Sequence, residues 1–200
     1  MASRGAFQQS VRSLLRDRLL NAARDVVITS GWSRLRMAEI ASQVGVSRQT
    51  VYNEFGNKTG LGEALALREA ETFLSGIAER LEKHSDDLNG AIQSAVEFTL
   101  SEAAENPLLK AVLTATPGGA GQMLPFLTTR SEPILTAANE VLLGHLETYW
   151  PQLELTAQQR QILVESVVRL VVSHVMMQRV SAGEVARQVA WLVDRIAGVA

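Results

Sequence analysis

The segment that decides the fold is Met37–Phe55, which reads MAEIASQVGVSRQTVYNEF. Eight residues with apolar positions at helical spacing precede Gly45, and eight more follow Ser47. Glycine permits the left-handed backbone that a sharp turn needs, and a serine at the start of a helix supplies a side-chain acceptor for its first N–H groups. The segment therefore predicts two short helices, 37–44 and 48–55, arranged as a helix-turn-helix.

Around this segment, apolar residues recur at intervals of three and four, which is typical of helices and not of strands. A first helix is expected from about Phe7 to Ser30, and Asn57 is placed to cap a longer helix that reaches Leu81. Later helices are expected from Ser85 or Asp86 to Asn106, and at about 108–114, 133–150, 157–178 and 182–198, the last two opened by capping boxes at Thr156 and Ser181. The predicted fold is all-α with about nine helices.

The net charge of −2 hides an uneven distribution. Residues 1–60 carry nine basic and four acidic side chains, a balance of +5, whereas residues 61–200 carry ten basic and seventeen acidic ones, a balance of −7. A basic first third is typical of a region that meets a polyanion, although uneven solvated surfaces also produce such splits. The charge split therefore predicts a basic part over residues 1–60 and an acidic part over 61–200.

Several chemistries are disfavoured by composition. The chain has no cysteine, and its three histidines, His84, His145 and His174, are far apart, so neither a disulfide framework nor a metal site is expected. No nucleophile motif is present, and we expect neither an enzyme nor a cofactor. No apolar stretch reaches the roughly 18 residues of a membrane span and no signal peptide is visible, so a cytoplasmic protein with no membrane partner is expected.

A longer pattern surrounds the turn. It consists of Ile40-Ala41, Gly45-Val46-Ser47, Thr50-Val51-Tyr52, Phe55, Lys58 and Leu61. In order and spacing it resembles the I-A, G-V-S, T-[LV]-Y, F and K-x-x-L pattern of the TetR family of transcriptional regulators. The resemblance covers about residues 10–62. It implies an N-terminal three-helix DNA-binding domain over 1–60, a C-terminal helical domain over 61–200 for ligand binding, regulation and dimerisation, and double-stranded DNA as a partner.

The candidate DNA-binding residues lie on or beside the second helix of the turn. They are Arg36, Ser47, Arg48, Gln49, Thr50, Tyr52, Asn53 and Lys58. Arg pairs well with guanine, and Gln or Asn with adenine, whereas hydroxyl groups and Lys suit phosphates.

Three residues depart from the family pattern: Glu54 replaces a common His, Gln49 a frequent Gly, and Arg36 a capping Thr. An acid at Glu54 would face phosphates unfavourably unless it pairs with Arg or Lys58. Arg12 and Arg16 are expected to act mainly through general electrostatic steering.

The helix at 157–178 has apolar residues around half its circumference or more, so it is expected to bury two surfaces. The last helix adds a second apolar stripe, and the family resemblance implies a four-helix homodimer interface. The candidate interface residues are Val164, Val168, Val171, Val172, Val175, Val185, Val189, Leu192, Val193 and Ile196. A dimer also brings two reading helices to a palindrome, about 34 Å apart.

The resemblance also implies a small-molecule pocket in the larger domain. The candidate lining is Phe98, Met123, Phe126, Leu127, His145, Tyr149, Trp150, Met176 and Met177. Aromatic and methionine side chains suit an apolar or amphipathic effector. The expected function is a homodimeric repressor that releases a palindromic operator when the effector binds. Two alternatives remain open: an architectural DNA-binding protein without an effector, and an activator of the same fold.

Overall fold

The computed structural model describes residues 2–106, 108–109, 131–177 and 179–198. Within these ranges the chain is helical and contains no strand, which confirms the all-α prediction. The elements are α1 Ala2–Ser30, a 3-10 helix Trp32–Arg34, α2 Met37–Val44, α3 Arg48–Phe55, α4 Lys58–Lys83, α5 Leu88–Glu105, α6 Ser131–Tyr149, α7 Ala157–Met176 and α8 Ala182–Ala197. Most of the helix expected at 108–114 lies outside the described residues.

Helix ends agree best with the prediction where a glycine or a cap marks them. The bounds of α2 and α3 are those expected. The start of α5 is later than predicted, because Asp87 is the residue that caps it, accepting from the Gly90 N–H at 3.0 Å. Ser85 still belongs to the preceding turn, since its N–H donates to the Glu82 carbonyl.

The two predicted capping boxes have different outcomes. At α7, Thr156 Oγ1 accepts from the Gln159 N–H at 3.2 Å and Gln159 Oε1 accepts from the Thr156 N–H at 2.8 Å, so the box is complete. At α8, Ser181 Oγ accepts from the Glu184 N–H at 3.3 Å. The Glu184 carboxylate, however, accepts from Arg187 and Gln188, so only the first bond of that box forms.

The described residues form two compact units, with the division after Arg68 inside α4. The first unit holds α1, the 3-10 helix, α2, α3 and the start of α4. Its core is mainly aliphatic, and seven of its described side chains are completely buried: Leu19, Ala23, Leu35, Ile40, Val51, Leu61 and Leu65. Burial of such side chains contributes about 1.5–3 kcal/mol each, which is what holds helices as short as α2 and α3 in place.

The second unit holds the rest of α4 together with α5, α6, α7 and α8. Within it, α5 packs against α8, and α6 packs against α7. The buried guanidinium of Arg160 closes the connection between α6 and α7 by donating to four backbone carbonyls, those of Trp150, Pro151, Leu153 and Leu155. These bonds supply the partners that a buried cation requires.

The predicted interface residues of α7 and α8 need a correction. Six of the ten lie in the core of their own unit: Val164, Val171, Val175, Val185, Val189 and Val193. Val168 and Val172 are half-buried, whereas Leu192 and Ile196 are exposed. Helical periodicity reveals that a helix has a broad apolar surface but not which part of it faces the core. The large apolar side chains that these helices expose are Ile162, Met176, Trp191, Leu192 and Ile196.

Candidate nucleic-acid interface

The turn between α2 and α3 is built on Gly45, which adopts the left-handed conformation with φ 79° and ψ 34°. Val46 then donates its N–H to the Ala41 carbonyl at 2.9 Å. Ser47 caps α3 by accepting from the Thr50 N–H at 3.1 Å. A residue with a Cβ at position 45 would be strained in this conformation, so the glycine allows only three residues to separate α2 from α3.

The helix α3 has one buried side and one exposed polar side. Val51 and Phe55 are buried in the first unit, whereas Arg48, Gln49, Tyr52 and Asn53 are exposed. Gln49 Nε2 donates to Asn53 Oδ1 at 2.8 Å, so these two amides lie next to each other along the helix. The structure therefore brings four of the eight candidate DNA-binding residues onto one accessible face.

The hydroxyl groups of Ser47 and Thr50 lie beside that face at the start of α3. Their oxygens are 2.9 Å apart, and Thr50 is half-buried. Ser47 is exposed and keeps further hydrogen-bonding capacity beyond its capping role. Hydroxyls at this end of a helix, next to backbone N–H groups, suit an anion.

The remaining two candidates, Arg36 and Lys58, converge on one carbonyl. Arg36 Nη1 donates to the Ser33 oxygen at 2.8 Å, and Lys58 Nζ donates to the same oxygen at 3.3 Å. The Lys58 ammonium also lies 4.9 Å from the centre of the Trp32 ring. Burial, and then the nearby charge of Arg36, lower the pKa of Lys58. Two cations thus share the end of the 3-10 helix, and the part played by Trp32 was not foreseen.

Glu54 pairs with two arginines of α1. Its carboxylate accepts from Arg12 Nε at 3.0 Å and from Arg16 Nη1 at 2.8 Å. The Arg16 guanidinium also lies 4.9 Å from the centre of the Phe55 ring. Burial alone would raise the pKa of Glu54, but the hydrogen bonds and charges of Arg16 and Arg12 lower it on balance. The sequence predicted that this acid needs a cationic partner, and the structure identifies the partners.

The second unit contains a cavity of about 90 Å³. Side chains from α4, α5, α6 and α7 line it, and they are apolar apart from Thr99. The Thr99 hydroxyl already donates to the Ala95 carbonyl at 2.8 Å. An adjoining cavity of about 60 Å³ shares Leu81, Ile92 and Leu142 with the first. The described lining thus offers aliphatic contacts to a bound molecule.

Of the six predicted pocket residues that the structure describes, Trp150 lines the smaller cavity and the other five line neither cavity. Phe98 stacks on Phe73 with ring centres 5.8 Å apart, and the Arg80 guanidinium lies 3.5 Å from the centre of the Phe98 ring. The wall is built mainly from valine, leucine and isoleucine, which sequence reasoning passed over in favour of aromatic residues and methionine. The broad apolar surface of the helix at 157–178 was the sequence feature that could have indicated these wall residues.

The other predicted pocket residues have different surroundings. His145 Nδ1 lies 2.7 Å from the Val141 carbonyl, and the Tyr149 hydroxyl donates to Glu82 at 3.2 Å. Two are exposed to solvent: Met176 and Met177. Three fall outside the described residues: Met123, Phe126 and Leu127.

In the described part of the chain, no group of three or more His, Asp or Glu side chains is placed to hold a metal ion. Likewise, none of the helices described above is long and apolar enough to cross a membrane.

Two family models match the chain. The model for bacterial regulatory proteins of the tetR family matches residues 19–65. The model for the C-terminal domain of the bacterial tetracyclin repressor matches residues 87–195. The first range contains the turn and the exposed face of α3, and the second contains most of the unit that holds the cavity.

Individual proteins agree with these matches. The chain is 31% identical over 191 residues to the HTH-type transcriptional regulator AlkX of Mycobacterium tuberculosis, covering 96% of this chain and 89% of the relative. It is 28% identical over 181 residues to the nucleoid occlusion factor SlmA of Vibrio campbellii, covering 90% and 82%.

Among solved structures, the TetR family repressor AlkX from Dietzia sp. strain DQ12-45-1b, implicated in biodegradation of n-alkanes, matches with a TM-score of 0.69. The two are 25% identical, and the match covers 91% of this chain and 97% of the other. The chain belongs to the TetR family of transcriptional regulators.

Proposed function

We propose that this TetR-family regulator is a homodimeric repressor. It reads a palindromic DNA operator with α3 and leaves the operator when an apolar or amphipathic small molecule binds in the second unit. In this assignment residues 1–60 are the DNA-binding domain and residues 61–200 the regulatory and dimerisation domain. The observation that carries the proposal is the exposed polar face of α3, with hydroxyl and cationic groups beside it.

On this proposal, Arg48, Gln49 and Asn53 contact base edges in the major groove. An arginine is matched to guanine and an amide to adenine by the geometry of their paired donors and acceptors. The backbone contacts come from the other five candidates, Arg36, Ser47, Thr50, Tyr52 and Lys58. Such phosphate contacts fix the position of α3 on the duplex without reading its sequence.

The dimer is supported by the apolar side chains exposed on α7 and α8. Trp191 is 60% exposed and Ile196 is 50% exposed, although both are large and apolar. A surface of this kind is typical of a protein–protein contact. A two-fold dimer presents two copies of α3 and so matches a palindrome, which a single copy cannot do.

An apolar effector is supported by the cavity lining and by the relatives. A ligand in the cavity would meet aliphatic side chains and a hydroxyl group that already has an acceptor. The relative from Dietzia is implicated in n-alkane biodegradation, which is chemistry of the same apolar character. A molecule with a hydrocarbon chain is therefore the effector class that we propose.

The test is a titration of the protein on DNA that flanks its own gene, with and without hydrocarbon-chain compounds. We expect tight binding that weakens steeply with salt and is lost when the effector is added.

The variant Ala95→Leu places extra volume in the cavity wall and should keep DNA binding but resist release of the DNA by the effector. Ala104→Leu, an exposed position on the same helix, is the matched control and should respond like the parent. Release that is equally efficient in both variants would contradict the proposed effector site.

A second candidate function is an architectural DNA-binding protein without an effector. The similarity to SlmA over 90% of this chain favours it, since that relative is named for nucleoid occlusion. It predicts affinity for DNA that is indifferent to every small molecule tested and that depends weakly on sequence. The same titration separates the two candidates.

A further inference from the structure

We propose that Glu54 limits how strongly the protein binds DNA of any sequence. Its carboxylate holds the guanidinium groups of Arg12 and Arg16 against α3 and thereby keeps their charges from making sequence-independent contacts with DNA phosphates. This inference rests on the proposed DNA interface at α3.

The position of the two arginines is the first part of the argument. Glu54 follows Asn53 directly and lies on the flank of α3 that faces α1. Both guanidinium groups are within 3.0 Å of its carboxylate, so both lie at the edge of the reading helix. The side chain of Arg12 is 70% exposed, and that of Arg16 is 39% exposed. If α3 reads DNA as proposed, these two accessible cations lie beside the reading helix and can reach phosphates of the bound duplex.

The pairing is the second part. The Glu54 side chain is only 12% exposed, and both of its carboxylate oxygens accept from a guanidinium group. The arginine contacts lower the pKa of Glu54, so the carboxylate is charged at neutral pH. A charged acceptor with two short bonds competes directly with a phosphate for the same donors.

The consequence concerns the sequence-independent part of DNA affinity. Each phosphate that a protein neutralises adds about 0.9 to the slope of log affinity against log salt, whatever the DNA sequence. Two unpaired arginines would therefore strengthen binding to operator and to other DNA alike and would make it more sensitive to salt. An acid that occupies both arginines lowers this sequence-independent affinity and leaves the base contacts of α3 unchanged.

The test is Glu54→Gln, which keeps the size of the side chain and removes its charge. Binding is measured on operator and on scrambled duplex over a range of salt concentrations. We expect affinity for scrambled DNA to rise, by up to about 60-fold at roughly 0.1 M salt, and the slope to steepen by up to about 1.8. Operator affinity should rise by a similar factor, so that the ratio of the two affinities stays near the parental value, and Glu54→Asp should restore the parental slope.

A purely structural role gives a different result. If Glu54 only braces α1 against α3, the Gln variant will lose thermal stability and operator affinity while its salt slope stays parental, and the inference is wrong. The triple variant Arg12→Gln, Arg16→Gln, Glu54→Gln should return the slope to the parental value. Steepening that survives in the triple variant would also overturn the inference.

A second variant keeps the inference testable if Glu54→Gln does not fold. Arg12→Gln with Arg16→Gln in the parental background should leave the salt slope unchanged, because these arginines do not contact DNA while Glu54 is charged. A slope that becomes shallower by about 1.8 would show that they already bind phosphates. If the parental protein does not prefer any operator to scrambled DNA, the proposed function fails, whereas the slopes still judge the role of Glu54.

Discussion

The exposed faces of α3 and α8 differ in what they offer a partner. The face of α3 consists of polar side chains such as Gln49 and Asn53, which bond to each other, above a buried Val51. The face of α8 exposes Trp191 and Ile196, whereas Val189 and Val193 of the same helix are buried. Polar groups in a fixed row suit a partner recognised through hydrogen bonds, whereas large apolar groups suit a partner that buries apolar surface in return. The two units thus expose surfaces suited to two different kinds of partner.

The largest expected effect comes from charging the apolar face. The double variant Trp191→Glu, Ile196→Glu places two acids on the surface that we assign to the dimer, so sedimentation should show monomers. Because one copy holds a single half-site, operator affinity should fall by roughly 10²- to 10⁴-fold.

Leu67 provides the matched control for that variant. It is also a large apolar residue, 55% exposed, and it belongs to the first unit. Leu67→Glu should leave the oligomeric state unchanged. If the double variant of α8 remains dimeric, the apolar face of α8 is not the dimer interface, and the proposed contrast with the polar face of α3 is wrong.

A smaller effect is expected on the polar face. Gln49→Ala removes one candidate base contact and the bond to Asn53, and it should cost about 1–3 kcal/mol of operator binding while leaving scrambled DNA nearly unaffected. Gln43→Ala, an exposed amide on α2, is the control and should behave like the parent. Equal losses on both DNA sequences would mean that Gln49 contacts the backbone only.

The smallest effect compares two helix caps that share the same chemistry. Ser47→Ala and Thr156→Ala each remove a side-chain acceptor at the start of a helix, at α3 and at α7. Each should lower the free energy of unfolding by about 1 kcal/mol in denaturant titrations. Only Ser47→Ala should also weaken DNA binding, since Ser47 is a proposed phosphate contact. Equal DNA affinity in the two variants would restrict Ser47 to capping.

The first unit was well predicted because local signals determine it. Gly45 and Gly56 both adopt positive φ and end α2 and α3 at the expected residues, and Ser47 caps α3 as expected. The exposed residues of α3 then follow from the burial of Val51 and Phe55 through helical periodicity alone. Turn and cap interactions act over three or four residues, so they can be recognised in a single sequence.

Contacts between residues that are far apart in the sequence could not be predicted in the same way. The pairing of Glu54 with Arg12 and Arg16 joins residues about forty positions apart, and several other cations were available to it. On α7 and α8 the apolar surface is wide, so periodicity could not separate core residues such as Val175 from exposed ones such as Trp191. The cavity is a product of how four helices pack, and no local pattern specifies its walls.

The most direct test of the central claim is selection of bound duplexes from a pool of random DNA. If α3 reads base sequence in a two-fold dimer, the selected DNA will contain two inverted half-sites with centres about 34 Å apart, or a multiple of that distance. A pool that shows no enriched sequence, or only a single half-site without an inverted copy, would contradict the account.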